Sequence, residues 1–99
     1  DWSRTFTRDF IYRGYGSSVM YEPGKILVMG GGGNTKSAVT VELVGGVSVA
    51  ATEPMNFGRT NLNATLLADG SVFVNGGNSS GTNFDDTTSV FESEIWNPE

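Results

Sequence analysis

Few side chains in this 99-residue sequence are of a kind that does chemistry. It contains no histidine and no cysteine. That removes the commonest general base, the imidazole ligand of transition metals and all thiol or disulfide chemistry. What remains is three tyrosines (Tyr12, Tyr15, Tyr21), an acidic group (Asp85, Asp86, Glu92, Glu94) and a glycine-rich stretch over residues 30–37. The acidic group suggests calcium but lacks the spacing of an EF-hand loop. No second cluster faces it to make a hydrolytic carboxylate pair, and a solvated acidic loop is the simpler reading. The glycine-rich stretch, GGGGNTKS, brushes the phosphate-loop pattern G-x-x-x-x-G-K-[ST]. Thr35 stands where the second glycine belongs, and the residues that follow (40–44, TVELV) read as strand. No helix N-terminus would then face a phosphate, so close strand packing is the better reading. The tyrosines, with Trp2 and Trp96, read as strand and packing aromatics. No catalytic set and no metal site is expected within these residues.

Charge and hydropathy exclude further classes. The net charge is −5, and the six basic residues at 4, 8, 13, 25, 36 and 59 form no stripe, so nucleic acid is not an expected partner. No apolar run approaches the roughly 20 residues that span a bilayer. A start at Asp1 suits a processed or excised product. Asn78-Ser79-Ser80 and Asn63-Ala64-Thr65 fit the glycosylation acceptor pattern. Asn78 is the preferred acceptor, because Asn63 falls inside a predicted strand.

The elements that must position these residues come from a repeat. Asp69-Gly70-Ser71-Val72-Phe73-Val74-Asn75-Gly76-Gly77 restates Pro23-Gly24-Lys25-Ile26-Leu27-Val28-Met29-Gly30-Gly31, and Gly70 follows Gly24 by 46 positions. Arg59 follows Arg13 by the same 46. A repeat of this length, rich in short β runs and glycine, is the signature of a propeller blade. The fold class is therefore all-β: antiparallel blades of a β-propeller, present as a fragment. Strands are predicted near residues 4–7, then over 15–21, 25–29, 39–44 and 47–52. In the second copy they are predicted over 62–68, 71–75 and 90–96, with a long loop over 76–89. The 25–29 strand is a continuous apolar run and is expected to be buried on both faces. Gly45-Gly46 reads as a two-residue hairpin turn. No helix is expected. Residues 1–12 read as the end of a preceding blade, 13–54 as one blade, and 55–99 as an incomplete next blade.

On these residues the chain resembles the galactose oxidase and glyoxal oxidase family, whose catalytic domain is a seven-bladed Kelch-type propeller. The resemblance rests on 15–21 (YGSSVMY) with 24–31 (GKILVMGG), on 55–60 (MNFGRT), on 67–77 (LADGSVFVNGG) and on 93–99 (SEIWNPE). It implies a secreted, extracellular parent that is a copper-radical alcohol or aldehyde oxidase, or a related carbohydrate-binding protein. Family members hold copper with two tyrosines and two histidines, one tyrosine being cross-linked to a cysteine. That set cannot be assembled here: Leu62 stands where family blades often carry a histidine. The resemblance implies copper only in a full-length parent. It also implies that Phe84, in the loop 81–86 (GTNFDD), matches an aromatic lining the substrate pocket. A flat aromatic face suits a sugar, although Phe84 would equally pin a long loop onto its own blade. The expected partners are the remaining blades, with carbohydrate possible. The competing reading is a structural β protein that pairs its open edges with copies of itself, as a homo-oligomeric ring or a filament.

Overall fold

The computed structural model describes residues 6–80 and 86–98. They form two antiparallel sheets. The first has four strands in sequence order: β1 (Ser17–Glu22), β2 (Lys25–Met29), β3 (Ala38–Glu42) and β4 (Ser48–Thr52). The second has three, also in order: β5 (Asn63–Leu66), β6 (Val72–Asn75) and β7 (Glu94–Trp96). The described residues hold no α-helix, only one 3-10 turn at Asp86–Thr88.

Turn chemistry sets each hairpin. Glu22 pairs with Lys25 across Pro23-Gly24, and Gly24 lies at φ 77°, as the third residue of a type II turn requires. In the second sheet Asp69 Oδ1 accepts from both the backbone N–H and the hydroxyl of Ser71, an Asx-turn that shapes the β5–β6 connection. Those two bonds hold the Asp69 carboxyl below its ordinary pKa.

Several expectations need correction. The first strand starts at Ser17, because Tyr15 adopts φ 63° and the Gly16 N–H closes a turn onto Arg13 C=O. Phe6 and Thr7 belong to no strand, and the rest of the expected strand near 4–7 lies outside the described residues. The β3–β4 connection is five residues, 43–47, since the last pair of that ladder is Glu42 with Ser48; the Leu43 N–H donates to Gly24 C=O in continuation of the β2–β3 register. The last strand is Glu94–Trp96 rather than 90–96. Gly76 and Gly77, at φ 77° and 87°, swing the β6 side away, so residues before Glu94 have no strand opposite them.

The core lies between the sheets. Leu27, Met29 and Ala38 from the first pack against Leu62, Val72 and Val74, with Val19, Tyr21, Met55, Ala64 and Trp96 around them. Tyr21 and Trp96 meet edge to face at 4.8 Å, and Trp96 Nε1 donates to Thr52 Oγ1. Each fully buried aliphatic side chain here is worth about 1.5–3 kcal/mol. β2 is not buried on both faces, however. Leu27 and Met29 are sealed against the second sheet, whereas Ile26 and Val28 on the opposite face are only half-buried.

Candidate functional site

The connections from second to third strand, residues 30–37 and 76–93, emerge at the same end of the two sheets. They lie side by side. Asn34 Nδ2 donates to Ser79 C=O, Gly31 N–H to Arg59 C=O, and Asn61 N–H to Tyr15 C=O. This loop cluster is where the fold gathers polar groups.

At the base of each connection sits a buried arginine. Arg59 is fully buried; its Nη1 donates to Gly76 C=O at 3.0 Å and its Nη2 to Glu92 C=O at 2.9 Å. Arg13 does the same for the first connection, with Nη1 donating to Gly30 C=O at 3.1 Å and Ser37 C=O at 2.9 Å. Their carboxylate partners differ. Arg13 pairs with Asp9, which also meets Arg8. Arg59 pairs with Glu94 at 2.7 Å, and Glu94 accepts in addition from the Asn56 and Phe57 N–H groups. Burial pushes the Glu94 carboxyl up, but the Asn56 N–H, the Arg59 guanidinium and the Phe57 N–H together outweigh it. Its pKa therefore falls below the ordinary carboxylate value. These arginines entered the sequence reading only as marks of register; their 46-residue spacing was the available signal.

The glycine-rich stretch has spent its amides internally. Gly30 N–H donates to Ser37 C=O, Gly31 N–H to Arg59 C=O, Gly32 N–H to Gly14 C=O, and Thr35 N–H to Gly31 C=O. The consecutive amides of Gly30, Gly31 and Gly32 are therefore not free to cradle a phosphate. Glycine is required at Gly31 and Gly77 for a second reason. Both lie at φ 87°, and a Cβ would press on the backbone of Arg13 and of Thr60 respectively.

Phe84 and Asp85 lie outside the described residues, as does Trp2; for Asp86 the backbone alone is described, in the 3-10 turn. Glu94 is taken by Arg59, Asn56 and Phe57, so the acidic group does not act as a unit. Among the described residues no three acidic side chains gather as a metal site. Tyr12 and Tyr15 are exposed residues of turn and coil rather than strand aromatics. Only Tyr21 sits on a strand, and there burial raises its phenol pKa. The described side chains thus offer no fit for the copper set of two tyrosines and two histidines with a tyrosine–cysteine cross-link, since imidazole and thiol are both absent. The two acceptor triplets differ in exposure. Asn63 is exposed on β5, whereas Asn78 is 5% exposed and its Oδ1 accepts from Thr60 and Ser80 hydroxyls. A cleft of about 150 Å³ opens between the sheets, with Met29, Met55, Asn56, Glu94 and Trp96 in its lining; it is the seam of the core.

No protein-family model matches the chain. Two galactose oxidases of Gibberella zeae are each 36% identical to it over 96 residues, covering 85% of this chain and 14% of their own length. A solved structure described as a novel fungal alcohol oxidase with catalytic diversity among the AA5 family, in complex with copper, superposes with a TM-score of 0.83. It shares 30% identity and covers 92% of this chain and 21% of its own. The chain spans well under a quarter of the length of these relatives. In sequence and fold alike, the chain is a galactose oxidase homologue, corresponding to a segment of such a protein.

Proposed function

We propose that these residues are a non-catalytic, blade-forming segment of a Kelch-type propeller, with residues 13–54 as one blade and 55–99 as part of the next. The parent is an extracellular copper-radical oxidase of an alcohol or aldehyde, and its copper ligands come from other residues. Within it, the connection 76–89 carries Phe84 toward the substrate face, where a carbohydrate or small alcohol would stack on the ring.

One observation carries this reading. Val72 and Val74 are buried against the first sheet, while Ile26 and Val28, which occupy the same repeat positions, are half-open. The first sheet therefore leaves half-open along β2 the face by which the second sheet is held, although Val39 and Val41 on that face are buried. At the other end Ile95 and Phe73 share a face of the second sheet, and Ile95 is 62% exposed. Each end presents the complement of the other, so further blades fit both.

The same complementarity supports a second reading, in which copies of the chain stack head to tail into a ring or filament. Light scattering with intact mass spectrometry on the natural species separates the two. A much longer monomeric chain that binds copper and releases peroxide from an alcohol or aldehyde supports the first. A 99-residue species found only in large assemblies overturns it in favour of the second. A long chain without copper or oxidase activity would leave the blades and remove the enzyme.

A further inference from the structure

The necks of the two connections are the same structure, although the connections differ in length. On the β2 and β6 side, equivalent residues are 46 apart: Arg13 and Arg59, Gly14 and Thr60, Gly30 and Gly76, Gly31 and Gly77, Gly32 and Asn78. Beyond the loop the offset is 55, because β2 pairs Ile26 with Val41 where β6 pairs Val72 with Trp96. Four hydrogen bonds obey both offsets. The arginine donates to the glycine carbonyl (Gly30, Gly76) and to the carbonyl entering the third strand (Ser37, Glu92). The Gly32 and Asn78 amides donate to Gly14 and Thr60, and the Thr35 and Val90 amides to Gly31 and Gly77. The nine extra residues of the second connection therefore all fall between Asn78 and Val90, where the first connection has only Gly33 and Asn34.

We propose that Arg13 and Arg59 are positioning residues that close these necks, so that residues 79–89 are an exchangeable loop. What lies beyond the neck can then change in length and content without a cost to the sheet. The physical basis is the guanidinium fork, which spans two carbonyls at fixed geometry while its charge strengthens both bonds. Backbone carbonyls are the acceptors, so the clamp is indifferent to loop sequence. The inference does not depend on what the parent oxidises.

The test is hydrogen exchange in the full-length protein carrying this segment, read at the Asn78 and Val90 amides. Arg59→Met is expected to speed exchange there by roughly tenfold or more beyond any change in the β1–β4 ladder. Deletion of residues 81–85 with Arg59 intact is expected to leave both amides within about twofold of the parent. The proposal is overturned if Arg59→Met leaves the neck protected, if it loosens both sheets equally, or if the deletion opens the neck. Should Arg59→Met yield no folded protein, the deletion alone decides. Neck protection retained in it supports the clamp, and protection lost sinks it.

Discussion

The two sheets carry the same repeat and meet different fates. Leu27 and Phe73 occupy one repeat position, as do Met29 and Asn75. Leu27 and Met29 are sealed, whereas Phe73 and Asn75 are half-buried. On the opposite face the order reverses: Val72 and Val74 are sealed, Ile26 and Val28 half-open. Three of these four pairs are apolar in both copies, Met29 with Asn75 being the exception. What differs is which face has a neighbour. Burial in this fold is thus a property of the stack and not of the strand alone, since one face of each sheet is closed by the other.

The arginines give the largest expected effect by which this comparison can be broken. Arg59→Met leaves the Glu94 carboxylate only the Asn56 and Phe57 N–H groups and strips the Gly76 and Glu92 carbonyls of their donor, and should destabilise by about 3–5 kcal/mol in chemical denaturation. Arg13→Met should cost clearly less, because Asp9 keeps Arg8 as a partner. Equal losses would mean that the carboxylate partner does not distinguish the two clamps. Next come the core positions. Leu27→Ala should cost about 2–5 kcal/mol, and Phe73→Ala on the same segment well under that despite the larger side chain removed. If Phe73→Ala proves the costlier, its face is covered and the open-face reading fails.

The glycines sharpen the same contrast on a smaller scale. Gly77→Ala meets both a left-handed φ and the Thr60 backbone, for about 2–3 kcal/mol. Gly45→Ala meets only the φ of 77°, in open space, for about 1 kcal/mol. Thermal melts of the two variants give the order directly.

Acid should find the second sheet first. The pKa of Glu94 is lower in the folded chain than its ordinary value of 4.5, so the folded state binds fewer protons than the unfolded one across that interval. Its stabilisation is whole above the ordinary value and is lost as pH falls through the depressed one. Glu94→Gln should flatten that part of the stability–pH curve; an unchanged slope would show that Glu94 does not report there.

Much of the fold was legible in the chain. The bounds of the strand at residues 25–29 follow from its turn, apolar run and glycine pair, all local features, whereas the half-burial of its Ile26 and Val28 face does not. The strand ends were less legible. Residues 90–93 look as strand-prone as Glu94–Trp96, but pairing fails before Glu94 because the glycines opposite turn away. Of the site, the sequence offered a repeated arginine without its purpose: the carbonyls that Arg59 holds are 17 and 33 residues away. The burial of Asn78 was illegible for a similar reason: a residue in a loop is exposed by default, and bridges to Thr60 and Ser89 enclose this one.

The sequence by itself determined the period, the turns and the alternation of apolar residues, because each depends on neighbours within a few positions. It also determined that no imidazole or thiol chemistry resides in these residues. Only the tertiary structure decided which face of each sheet is sealed, which carboxylate serves each arginine, and where the nine extra residues are inserted. Those outcomes depend on groups far apart in the chain, whose encounter is fixed by the packing of one twisted sheet on the next.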